Sequence, residues 1–97
     1  MTKDTALNII INRTDTDSVD YKTIGWNRAL NEIYDRIDAF GTSNIYEYID
    51  TMQSVYEDLR KTSCIKTRAE YLDGAILACK RLKQRLKLEE KLSRPQY

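Results

Sequence analysis

TIGWNRALNEIYDRIDAF, from Thr23 to Phe40, is the stretch whose reading decides the fold. Trp26, Leu30, Ile33, Ile37 and Phe40 recur at steps of 4, 3, 4 and 3, the rhythm that keeps one face of a helix turned toward a partner. NIYEYIDTMQSVYEDLRKT repeats it with Ile45, Ile49, Met52, Tyr56 and Leu59. A third stripe follows as Ala69, Leu72, Ile76, Cys79, Leu82 and Leu86. Three apolar stripes joined by short connections predict an all-α fold, an antiparallel bundle of three principal helices around one core. The predicted helices cover 20–40, 43–62 and 67–92, with an arm over 1–19 and a tail over 93–97, in a single domain.

Local signals place the helix ends. Ser18 or Asp20 is a candidate cap for the first principal helix, and Gly41 supplies the left-handed residue that commonly ends one. Gly25 weakens the first turns by about 1 kcal/mol relative to alanine, so it marks a close contact or a late helix start. Thr42 or Ser43 is the candidate cap of the next helix, and Thr67 with Glu70 has the spacing of a capping box for the last. In the arm, Ala6, Leu7, Ile10 and Ile11 fit a helical face, while Leu7, Ile9 and Ile11 fit a strand equally. A short helix is the favoured reading.

The chain has 97 residues, 41% of them hydrophobic and 32% charged, with a single proline and three glycines. That suits a small helical domain of modest intrinsic stability. The apolar stretch near the N-terminus is too short for a signal peptide or a membrane span, so a cytoplasmic protein with no membrane partner is expected. Cys64 and Cys79 form no CxxC pair and have no histidine to accompany them. Spacing leaves a disulfide open, but two free thiols are favoured in that compartment, Cys79 on the apolar stripe and Cys64 near a helix junction.

Chemistry is conspicuous by what is missing. With no histidine in the chain, neither cysteine nor any serine has an imidazole base. The three glycines, Gly25, Gly41 and Gly74, are too dispersed for a phosphate loop. The run from Asp15 to Asp20 invites comparison with a calcium loop, yet Val19, Asp20 and Trp26 stand where that loop needs an oxygen ligand, a glycine and a glutamate. Glu32 with Asp35, and Glu47 with Asp50, lack the histidines of a di-metal bundle. The chain is therefore read as non-enzymatic, without cofactor or metal.

Charge is distributed unevenly behind a net +1. Residues 1–60 hold 6 basic and 11 acidic side chains, whereas residues 80–97 hold 7 basic and 2 acidic. Lys80, Lys83, Lys87, Lys91 and Arg94 form a ridge beside the apolar stripe, with Arg81 and Arg85 across the helix and Leu88 and Leu92 off the seam. This ridge is a solvent-facing surface or a docking site for an acidic partner. Candidate partner-binding residues are Lys80, Lys83, Lys87, Lys91, Leu88 and Leu92, together with Tyr46, Glu47 and Asp50 on the acidic middle helix. An acidic, tyrosine-bearing helix also has the means to imitate nucleic acid toward a basic groove. Core or oligomer-interface candidates are Trp26, Leu30, Ile33, Ile37, Ile49, Met52, Tyr56, Leu72, Ile76 and Cys79.

Tyr21, Gly25, Trp26, Asn27, Ala29, Leu30 and Ile33, written YxxxGWNxALxxI, resemble a helix of small accessory proteins of tailed bacteriophages. The resemblance covers about a fifth of the chain. It implies a phage-encoded inhibitor or modulator of a host enzyme or defence complex, of the anti-CRISPR or host-takeover type, acting on a host protein in the bacterial cytoplasm. Composition and charge keep two other readings: a nucleic-acid-binding accessory protein using the C-terminal lysines, and a self-assembling structural protein. A homodimer or higher oligomer is expected, since a small domain gains from sharing a core.

Overall fold

The structure is a computed structural model that describes residues 1–15 and 20–93. Ser18, the centre of the Asp15–Asp20 run, Arg94 and the rest of the tail lie outside the described residues. Among the described residues four helices pack together: α1 (Lys3–Arg13), α2 (Tyr21–Phe40), α3 (Ile45–Lys61) and α4 (Lys66–Ser93). Among the described residues there is no strand. The arm is thus a helix of 11 residues, opened by Thr2, whose side chain accepts from the Thr5 amide at 3.2 Å. Its buried residues are Ala6, Ile9 and Ile10, whereas Ile11, which both the helical and the strand reading placed on the apolar face, is exposed.

Asp20 caps α2, its carboxylate accepting the Thr23 amide at 2.7 Å. Gly41 ends that helix at φ 76°, and its amide returns to the Ile37 carbonyl at 2.7 Å. Two expected caps are corrected. Neither Thr42 nor Ser43 caps α3; Asn44 occupies that position in the left-handed region, at φ 57°, without a side-chain cap. Asn tolerates this conformation better than most residues, which lets the chain reverse tightly after Gly41. On α4 the Ala69 amide already bonds to the Ile65 carbonyl at 2.9 Å. Thr67 therefore lies inside the first turn, and its spacing to Glu70 forms no capping box.

Leu30, Ile33 and Ile37 of α2, Ile49 of α3 and Leu82 and Leu86 of α4 are fully buried, together with Ile10 of α1. Each such side chain contributes about 1.5–3 kcal/mol relative to an exposed one. The helix α4 is the hub, since it contacts each of the other three. For that reason its buried surface is wider than one stripe: Gly74, Ala75 and Ala78 join Leu72, Cys79, Leu82 and Leu86, while Ile76 is only half-buried.

Phe40 departs from the expected stripe at 67% exposure. It is the last residue of α2, beyond the buried Ile37, and its ring lies under the Arg36 guanidinium at 4.6 Å. Leu59 is likewise exposed in the last turn of α3. In both helices the rhythm continues into the last turn, where the side chain is left exposed.

Trp26 is half-buried and holds α1 in place. Its indole Nε1–H donates to the Arg13 carbonyl at 2.8 Å. The adjacent Asn27 amide accepts the Asp15 N–H at 3.0 Å and donates to the Asp15 carbonyl. Gly25, one residue earlier, lies against the Tyr71 backbone of α4. The GWN word thus serves packing at three successive residues.

Candidate protein-binding surface

The exposed face of α4 follows from its role as hub. With Leu72, Ala75, Ala78, Cys79, Leu82 and Leu86 turned inward, the 3.6-residue repeat turns Lys80, Arg81, Gln84, Lys87, Leu88, Lys91 and Leu92 outward, and all seven are exposed. Leu88 is 48% and Leu92 70% exposed. Lys80, Arg81 and Lys91 make no ion pair among the described residues, whereas Arg85, nearer the core, pairs with Glu89 at 3.0 Å. The result is a row of cations with two leucines inside it.

The acidic candidates on α3 prove to be neighbours of this ridge. Asp50 pairs with Lys83, and the Lys87 ammonium sits 5.5 Å above the Tyr46 ring. Farther along, Arg60 of α3 pairs with Asp73 of α4 at 2.8 Å, so residue numbers rise on one helix as they fall on the other. The Tyr46 hydroxyl is closed off from solvent without a well-aligned hydrogen bond. Burial first, and the nearby Glu90 carboxylate second, push its phenol up to about 12. Tyr46 and Asp50 are thereby engaged within the chain, and Glu47 alone of the three stays exposed without an ion pair among the described residues. Partners on a separate helix are invisible to a reading that takes each helix alone.

Other polar and aromatic side chains are paired within the chain. Tyr56 donates to Glu32 at 3.1 Å, while Arg28 holds the other oxygen of the same carboxylate at 2.9 Å. Burial of the ring, reinforced by Glu32, raises the Tyr56 phenol well above the usual tyrosine range. Both cysteines are free, Cys64 exposed and Cys79 buried. Of the surface ion pairs expected among Arg28, Glu32 and Arg36, Arg28 pairs with Glu32, while Arg36 lies over the rings of Phe40 and Tyr48. Among the described residues no group of three His, Cys, Asp or Glu side chains converges on a metal-sized site. No helix there is long and apolar enough to cross a membrane.

Comparison with protein-family models, curated proteins and solved structures finds no match to this chain.

Proposed function

We propose that the protein is a small non-enzymatic module that binds another protein through the outer face of the C-terminal half of α4. In this reading α2, α3 and α4 alternate in direction as an antiparallel three-helix bundle, flanked by α1. The observation that carries the proposal is the placement of Leu88 and Leu92 in the open between cations that have no ion pair among the described residues. A merely solvated face gains nothing from two exposed leucines one turn apart. A protein surface with apolar residues and carboxylates would cover both features. The likeness of the Tyr21–Ile33 segment to phage accessory proteins makes a host protein the expected target and its inhibition or redirection the expected effect.

The test is capture from bacterial lysate by the wild-type chain, by Leu88→Asp/Leu92→Asp and by Lys87→Glu/Lys91→Glu. All four positions are exposed, so the helical circular-dichroism spectrum is expected to survive. A specific partner retained by wild type and lost by both variants is expected. Identical recovery by all three proteins would defeat the proposal.

Nucleic-acid binding is the second reading, favoured by Lys80, Lys87 and Lys91 following one another along an exposed ridge. Contacts to phosphates weaken steeply with salt. Binding to DNA or RNA that is absent at low salt removes this reading.

A further inference from the structure

On another side of the molecule, α1 and α2 enclose a groove of about 460 Å³ lined by Ile10, Ile11, Thr14, Asn31 and Tyr34. Ile11 at its edge is 55% exposed. The surroundings are acidic. Asp4 lies seven residues before Ile11 and so shares its face of α1. Asp35 and Asp38 lie four residues beyond Asn31 and Tyr34 respectively on α2, and all three carboxylates are exposed. Asp4 and Asp35 make no ion pair among the described residues, and Asp38 has only a loose pair with Lys3 at 3.7 Å.

The outer end of α4 is the chemical complement of this groove. Leu88 and Leu92 stand one turn apart, Arg81 lies two turns before Leu88 on the same face, and Lys91 adjoins Leu92. We propose that the groove receives the C-terminal end of α4 from a second copy of this chain. This rests on the reading of that end as a protein-binding surface. Leu88 and Leu92 cover Ile11 and Tyr34, while Arg81 and Lys91 meet Asp4, Asp35 and Asp38. A nucleic-acid strand or an anionic lipid surface would meet those carboxylates with like charge, so a cationic, leucine-bearing helix is the fitting occupant.

The groove comes from α1 and α2 and the inserted end from α4, so every copy offers one of each. The contact is heterologous and passes from copy to copy unless it closes into a ring. Its modest extent predicts a weak, concentration-dependent association.

Light scattering at low salt over rising protein concentration tests it, with Leu88→Asp/Leu92→Asp as the variant lacking the inserted end and Ile11→Asp as the variant lacking the groove. Asp4→Lys/Asp35→Lys is a second groove variant that leaves the apolar lining unchanged. The wild-type mass is expected to climb above the 11.4 kDa of one chain, and each variant alone is expected to stay monomeric. An equimolar mixture of the end variant with either groove variant is expected to form one-to-one pairs and nothing larger, because one intact groove then meets one intact end. Groove variants keep the capture of an outside target while the end variant loses it, which separates failure of self-association from failure of the binding surface. A wild-type chain that stays monomeric throughout overturns the proposal, and so does assembly that survives the substitutions. A monomer whose groove binds an added apolar dye assigns the groove to a different ligand and overturns it as well.

Discussion

Gly25 and Gly74 occupy reciprocal positions in the contact between α2 and α4. A Cβ on Gly25 would stand 1.8 Å from the Tyr71 carbonyl oxygen, three residues before Gly74; one on Gly74 would stand 1.8 Å from the Lys22 carbonyl oxygen, three residues before Gly25. Both obstacles are helical backbone, which moves only if the two axes separate. Ala29, Ala75 and Ala78, each fully buried, continue the same seam of small residues. Small residues on both helices let these two backbones approach closely.

Substitution by alanine at either glycine sets two effects of opposite sign against each other. Helix propensity alone would stabilise the protein by about 1 kcal/mol. Forcing the helices apart loses contact along the buried seam and is expected to leave a net destabilisation of about 1–2 kcal/mol. Urea denaturation of Gly25→Ala and Gly74→Ala decides the sign. Unchanged or higher stability in both variants would show that the backbones do not meet as described.

Much of the core was legible in advance because burial on α2 and α3 follows the 3.6-residue repeat. Leu30, Ile33, Ile37, Ile45, Ile49 and Met52 are all buried where the stripes put them. What escaped was set by neighbours instead of by rhythm. Gly74 reads as one of three dispersed glycines until α2 is laid on it. Phe40 and Leu59 continue their stripes into last turns that leave them exposed. Thr67 with Glu70 has capping-box spacing, but the helix had already begun at Lys66. The candidate surface divided in the same way: the outward face of α4 follows from its own sequence, whereas the engagement of Tyr46 and Asp50 depends on which helix lies alongside.

Trp26 and Asn27 together are expected to fasten the end of α1. Trp26→Phe keeps most of the ring and removes the donor to Arg13; Asn27→Ala removes both contacts to Asp15. Each loss is expected to cost about 1 kcal/mol. More tellingly, amide hydrogen exchange over Lys3–Arg13 is expected to accelerate while protection in α2 and α4 is retained, because the clasp secures one helix and not the core. Uniform acceleration across the chain would show that α1 has no separate opening.

The two thiols are expected to differ widely in reactivity. Cys64 is exposed between α3 and α4, whereas Cys79 is fully buried in the core. Burial first, with Glu32 adding to it, pushes the Cys79 thiol up to about 12, so the reactive thiolate is scarce at neutral pH. A maleimide or disulfide reagent is expected to modify Cys64 in the native protein and Cys79 only on unfolding. Mass spectrometry after brief labelling checks this, and equal modification of both residues would contradict the burial of Cys79.

Alkaline pH is expected to weaken the fold through the same buried acids. The protonated forms of Tyr46 and Cys79 are neutral, and burial raises both to about 12 in the folded chain from ordinary values of 10.0 and 9.0; Tyr56 is raised in the same direction. Once the unfolded chain begins to ionise, the folded chain still holds these protons, and the unfolded state gains from releasing them. Their contribution is therefore fully present below about pH 9 and is lost as pH rises toward about 12. Thermal midpoints measured from pH 7 upward should stay level with respect to these groups and then fall steeply above about pH 9. Cys79→Ala removes one titrating group and is expected to make that alkaline decline shallower while lowering stability at neutral pH through the smaller side chain. An equally steep decline in this variant would take Cys79 out of the account and leave the tyrosines as its source.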